Sequence, residues 1–256
     1  MSLASDLPSC ACLEELRLAY APLNVPFVWE ALSVACLNLT KLDLLRCHLN
    51  PSSVPGLVLL LSEGCLTSLC IINRNYDDDD ETEPLFDEPG GTAFGDALRA
   101  NKKLKTLDLT SVRLWDHLSA GLSVINGVVG HATLEKLDLS SNKVVVEDRQ
   151  IVGDVLGRLI AVPSALNNFL LTHCDLTDVG LRPLFHALPG NVNLRELFVF
   201  GDNEICTSEF AVEVLEAVRQ NTLLKNLGLT TCKFPELGAA AAFVSQRLRE
   251  QHLQRG

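Results

Sequence analysis

The sequence is short of positive charge, of long apolar runs, and of every short motif that marks a common catalytic centre. Against 32 Asp and Glu stand 21 Lys and Arg, for a formal charge of −11. A surface that grips phosphate or anionic lipid needs clustered Lys and Arg, so neither nucleic acid nor a membrane is an expected partner. The longest apolar run, GLVLLL at 56–61, is far below the roughly 20 residues that span a bilayer. The opening MSLASDLPSCAC has no basic start followed by a long apolar core, so it does not read as a secretory signal, and a soluble, cytoplasmic chain is expected. The nine cysteines include no CxxC pair, and neither Cys10 with Cys12 nor Cys65 with Cys70 has a zinc spacing, so reduced, buried thiols are expected. The one sequon, Asn38-Leu39-Thr40, would go unused in a chain that is not secreted. There is no Walker A loop, GxGxxG, HExxH, GxSxG or EF-hand spacing, and hence no cofactor or metal is expected.

What is present is hydrophobicity, 47% over 256 residues, enough to bury a sizeable core, and it recurs in register. Eight segments share the spacing apolar, two residues, apolar, one residue, apolar. They are LEELRL at 13, LTKLDL at 39, LTSLCI at 66, LKTLDL at 104, LEKLDL at 134, LNNFLL at 166, LRELFV at 194 and LKNLGL at 224. The intervals are 26, 27, 38, 30, 32, 28 and 30 residues. A fixed period of this size means stacked supersecondary units that bury one continuous core.

In four repeats Cys47, Asn142, Cys174 and Cys232 stand three residues past the third apolar position, with Leu49, Val144, Leu176 and Phe234 two residues on. The whole pattern resembles the leucine-rich repeat, LxxLxLxx(N/C)xL, over essentially residues 13 to 256. Ala21, Arg74 and Val112 depart from it, and the seventh repeat fits when Asn203 replaces Asp202 with a slip of one residue. The resemblance implies an α/β solenoid, a horseshoe of about eight repeats forming one domain over 1–256. Its parallel strands, starting near 13, 39, 66, 104, 134, 166, 194 and 224, would line the concave face and its helices the convex face. The inward Asn or Cys would satisfy backbone groups at each turn, which accounts for three cysteines without catalysis. Helical periodicity at 148–162, 176–190 and 207–222, with Thr177 and Thr207 placed as N-caps and Gly190 near a stop, resembles the ribonuclease-inhibitor-like, cytosolic subclass. Little sequence precedes the first strand to serve as a cap, so the chain is also read as a possible part of a longer array.

The third repeat carries an insertion, NRNYDDDDETEPLFDEPGG at 73–91, with eight carboxylates and a single Arg, so most of the net charge is local. A helix is expected to resume near residue 93. The stretch reads as a solvated spacer or, more pointedly, as a loop that steers a basic partner, with Tyr76, Leu85 and Phe86 as anchors. DDDDETE lacks the ligand spacing and central glycine of a calcium loop.

Residues between the inward leucines should face solvent on the concave side. One such column reads Arg17, Asp43, Cys70, Asp108, Asp138, Leu170, Phe198, Gly228; the next reads Ala19, Leu45, Ile72, Thr110, Ser140, Thr172, Phe200, Thr230. Asp43, Asp108 and Asp138 make a polar stretch, and Leu170, Phe198 and Phe200 put large apolar groups where water is expected, as at a protein-binding surface. Paired carboxylates such as Asp108 and Asp138 can act as acid and base, but no pocket motif or nucleophile accompanies them. His173, Cys174 and Asp175 are adjacent and therefore point in different directions. The expected function is a non-enzymatic protein-interaction module that binds a protein partner on its concave face. The alternative is a regulator of a small GTPase resembling the Ran GTPase-activating proteins, with Arg46, Arg74 and Arg113 as candidates because they follow successive strands.

Overall fold

A computed structural model describes residues 12–21, 23, 28–29, 32, 38–73, 83–230 and 234–253. Eight strands form one parallel sheet in chain order: β1 (Glu15–Ala19), β2 (Lys41–Leu45), β3 (Ser68–Ile72), β4 (Thr106–Thr110), β5 (Lys136–Asp138), β6 (Asn168–Leu170), β7 (Glu196–Val199) and β8 (Asn226–Leu229). The helices between them are α1 (Val54–Glu63), α2 (Glu88–Ala100), α3 (Leu118–Val128), α4 (Arg149–Ala161), α5 (Thr177–Ala187), α6 (Ser208–Gln220) and α7 (Pro235–Leu253). This is an α/β leucine-rich-repeat solenoid, and each strand begins inside one of the eight repeated segments and ends within one residue of its last position.

Strand alternation follows from the LxxLxL spacing, because side chains two apart share a face. Leu42, Leu69, Leu107, Leu137, Phe169 and Leu197 stack behind the sheet with Leu44, Ile71, Leu109, Leu139, Leu171 and Val199, all buried. The amphipathic helices cover these two rows from the other side with residues such as Phe94, Leu98, Val124, Leu156, Phe185 and Phe210.

Two polar ladders close the backbone bonds where strand and helix meet. Asn142 donates to the carbonyls of Leu109 at 2.7 Å and Leu139 at 2.8 Å, and its Oδ1 accepts the amides of Val112 and Leu114. Cys47 and Cys174 occupy the same position, each donating its thiol to the preceding strand, to Leu18 O and Leu139 O. Asn203 joins them with bonds to Leu171 O and the amide of Leu176, as the one-residue slip implied. Asn73 serves the third repeat through the amide and carbonyl of Leu49. The second ladder stands three residues before the first leucine of four repeats, at Asn101, His131, Asn191 and Asn221. Each bonds back to a carbonyl one repeat earlier, those of Leu61, Leu98, Ile160 and Leu188, and accepts the amide of the first leucine of the next segment.

The chain leaves most strands through a left-handed residue: Tyr20, Arg46, Ser111, Ser141, His173 and Gly201 all have φ between 53° and 88°. The five that are not glycine carry strain of roughly 1–2 kcal/mol each. Their N–H groups still pair with the next strand, as Ser141 does with Thr172 O at 2.8 Å and His173 with Phe200 O at 3.1 Å.

Helices α2 and α3 meet backbone to backbone. A Cβ at Gly95 would lie 2.3 Å from Ser123 O and one at Gly127 2.2 Å from Gly95 O. Helices α4 and α5 meet likewise, with Gly153 beside Gly180 O.

Two local expectations are corrected. The helix after the insertion starts at Glu88, not near 93: Asp87 caps it by accepting the Gly90 amide at 2.8 Å, and Glu88 and Pro89 suit a first turn. What read as the end of an acidic loop is a helix start. Thr177 begins α5 without capping it, whereas Thr207 caps α6 by accepting from the Phe210 amide at 3.3 Å.

Candidate functional site: the concave face of the sheet

The parallel register places Asp43, Cys70, Asp108, Asp138, Leu170, Phe198 and Gly228 side by side on successive strands. Neighbours in such a row are about 4.8 Å apart. The row is acidic at β2, β4 and β5, with Cys70 at β3, and apolar from β6 onward.

In the acidic half, Asp108 Oδ1 accepts the Thr110 hydroxyl at 2.6 Å and the Thr110 amide at 3.0 Å, while the Cys70 thiol donates to Oδ2 at 3.5 Å. Asp138, only 9% exposed, accepts the Ser140 amide at 3.0 Å. Lys41 approaches Asp43 at 3.9 Å. Among the described residues none forms an ion pair with Asp108 or Asp138. Burial raises the Asp108 pKa, the charge of Asp138 adds to the rise, and the bonds from Thr110 oppose it. Burial and then the charges of Asp108, Asp43 and Asp138 push the Cys70 thiol up to about 12. It is therefore no thiolate at neutral pH, and burial pushes Cys174 to about 12 as well.

In the apolar half, the rings of Phe198 and Phe200 meet edge to face with centroids 6.2 Å apart. They lean over the next strand at a gap left by Gly228, where a Cβ would fall 2.6 Å from Phe198 and 2.8 Å from Phe200. Phe200 is 43% exposed; Phe198 and Leu170 are half-buried, less open than the sequence columns implied.

The insertion contributes differently from what its composition suggested. Phe86 is 1% exposed and packs on Phe94 with centroids 5.0 Å apart, and Leu85 is fully buried. Both are buried in the core of the third repeat, and the Leu85 amide bonds across to Val112 O of the fourth. Neither is an anchor open to a partner. Tyr76 and residues 77–82 lie outside the described residues, as does Arg74.

At the rim, the Arg46 guanidinium lies over the Tyr20 ring, 5.4 Å from its centroid, and bonds to its hydroxyl. Arg113 is held by Asp116 at 2.7 Å. His173, Cys174 and Asp175 diverge: His173 faces Asp202 at 3.5 Å, Cys174 bonds to Leu139 O, and Asp175 faces Arg149 at 3.5 Å. Among the described residues, no group of three His, Cys, Asp or Glu side chains is placed to hold a metal ion.

Sequence reasoning missed the second polar ladder. Its signal was an Asn or His three residues before an LxxLxL segment, as in NKKL, HATL, NVNL and NTLL.

A family model for the leucine-rich repeat matches residues 130–145, which hold β5, Asn142 and Val144. Over that stretch the chain is similar to the leucine-rich repeat, in keeping with its fold. No curated protein matches the chain by sequence. Among solved structures, the tropomodulin C-terminal domain of Caenorhabditis elegans is similar with a TM-score of 0.54 and 15% identity, covering 66% of this chain and 98% of that one. Leiomodin-1 actin-binding site 2 is matched at a TM-score of 0.40 and 16% identity, over 77% of this chain and 92% of that one. At such identities the first likeness concerns the fold alone.

Proposed function

We propose that this leucine-rich repeat protein is a non-enzymatic interaction module that binds a protein partner along the concave face of its sheet. The observation that carries the reading is the Phe198–Phe200 pair with Leu170 beside it, apolar groups left partly open on the sheet next to a carboxylate row. A solvated sheet face has no reason to collect aromatics, whereas an interface draws most of its energy from such anchors. The thiols at Cys70 and Cys174 are too basic to act as nucleophiles, which supports binding over acyl-transfer chemistry. Full helices between the strands support the ribonuclease-inhibitor-like subclass. Free thiols at Cys12, Cys47, Cys65, Cys70, Cys174 and Cys206 support a reducing, cytoplasmic setting. The GTPase-regulator reading draws no support from Arg46 and Arg113, which are engaged by Tyr20 and Asp116.

The test is affinity capture on the immobilised chain, comparing the native sequence with Phe200→Asp and with a variant lacking residues 77–82, each checked for native circular dichroism. A partner lost with Phe200→Asp supports concave recognition, and its further weakening in the deletion assigns a steering role to the acidic insertion. Capture unchanged by Phe200→Asp overturns the reading.

A further inference from the structure

We infer that the partner's contact segment is basic and apolar together: a Lys or Arg that sits over Asp108 and Asp138, and an aromatic or leucine side chain that packs on Leu170, Phe198 and Phe200. The inference rests on the concave-face reading and gives that face a ligand chemistry.

The first argument is charge. Asp108 and Asp138 are direct register partners on neighbouring strands, and like charges in that relation destabilise a sheet. Asp138 is buried and Asp108 half-buried, and charges withdrawn from water are costly unless paired. The described structure pairs neither with a cation. Lys41 is shared between Glu15 at 3.6 Å and Asp43 at 3.9 Å, and Lys136, which precedes Asp138 by two residues on the same face, makes no ion pair with it. Thr110, Ser140 and the Cys70 thiol supply hydrogen bonds without positive charge. An incoming ammonium or guanidinium would relieve the repulsion between the two carboxylates, so complementarity at this point favours a cation over a neutral group.

The second argument is adjacency. Leu170 stands next to Asp138 in register, and Phe198 next to Leu170. Cation and apolar anchor must therefore be about 10–15 Å apart, two to three strand spacings. That distance is spanned by three or four residues of extended chain or seven to ten of helix, which makes one short segment sufficient. Phe198 and Phe200 are held against each other over Gly228, so the apolar seat exists before the partner arrives.

The experiment is selection of a random peptide library displayed on phage against the immobilised full chain, followed by titration of the enriched peptides, as synthetic probes, against variants. Enriched sequences should carry Lys or Arg together with an aromatic residue or Leu. Asp108→Asn with Asp138→Asn should weaken such a peptide at least tenfold, and raising salt from 50 to 500 mM should weaken it on the native chain more than on that variant. Phe200→Ala should weaken it at least tenfold without changing its salt dependence. Selection against Asp108→Lys with Asp138→Lys should enrich acidic residues in place of basic ones. If enriched peptides lose binding with Phe200→Ala but carry no cation and ignore the Asp variants, the basic specification is overturned and the concave reading stands. If they bind all the variants equally, or if nothing enriches, both fall.

Discussion

His131 and Asn191 occupy one position in two different repeats and make one set of bonds. His131 Nδ1 accepts the Leu134 amide at 3.0 Å, as Asn191 Oδ1 accepts that of Leu194 at 2.6 Å. His131 Nε2 reaches Leu98 O at 3.1 Å, as Asn191 Nδ2 reaches Ile160 O at 2.6 Å. For the ring to accept at Nδ1 and donate at Nε2 it must be neutral.

That neutrality predicts a pH dependence. Burial lowers the His131 pKa, and the charge of Lys102 lowers it further, against the bonds to Leu98 and Asn101. Below the ordinary value of 6.5 the unfolded chain then binds a proton that the folded one refuses, so this contribution to stability falls as pH drops under 6.5. His131→Asn keeps the bonds and should remove the effect. Urea unfolding at pH 7.5 and 5.5 is expected to show a smaller pH loss for the variant than for the native chain; equal losses would refute the assignment.

The Asp108–Asp138 pair predicts the opposite sign. A raised carboxyl pKa means that the folded state holds its proton more tightly, so Asp108 contributes stability that is present at low pH and lost as pH rises through its folded value. Asp108→Asn keeps an acceptor for Thr110 and removes the charge. It should stabilise the protein at pH 7 by roughly 0.2–1 kcal/mol, the size of a cross-strand pair. The gain in melting temperature should shrink as the pH is lowered toward 4.

Burial separates two phenylalanines that look alike in sequence. Phe86→Ala should cost about 3–5 kcal/mol, because it empties a fully packed site. Phe200→Ala should cost below about 1 kcal/mol, since much of its ring is already in water. Chemical denaturation of both variants decides this, and a Phe86→Ala cost as small as that of Phe200→Ala would return the insertion to the role of a free anchor.

Gly228 should matter for recognition more than for folding. Gly228→Val places carbon where the Phe198 and Phe200 rings now lie, so the rings must lift away. The expected outcome is a cost of about 1–3 kcal/mol in stability, with native circular dichroism retained and at least a tenfold loss in affinity for any ligand of the concave face. A calorimetric titration that shows unchanged affinity would remove the aromatic pair from the site.

The strands and the register of the first outward column were legible because LxxLxL fixes which side chains share a face; the second column was less so, since Thr110, Ser140 and Thr172 are buried where solvent was expected. The Asn142, Cys174 and Asn203 positions were legible for the same reason. Phe86 was not, because eight nearby carboxylates dominate the composition while burial depends on where Asp87 starts the next helix. The left-handed exits at Ser141 and His173 were equally invisible, since Ser and His carry no strong preference for that conformation; the parallel pairing imposes it. The second ladder was obscured because Asn and His share a bonding geometry but no composition class.

The glycine contacts between helices also shape the arc. Strands along one rim are spaced at about 4.8 Å and ordinary helices along the other at about 8–10 Å, and it is this mismatch that curves a solenoid. Where Gly95 and Gly127, or Gly153 and Gly180, bring helix backbones into contact, the outer spacing shrinks and the arc straightens locally. Between α5 and α6 the surface instead opens into a depression lined by Phe185, Pro189, Val212 and Ala217. Helices α5 and α6 follow β6 and β7, the strands that carry Leu170 and Phe198, so this convex depression and the apolar part of the concave face belong to the same two repeats.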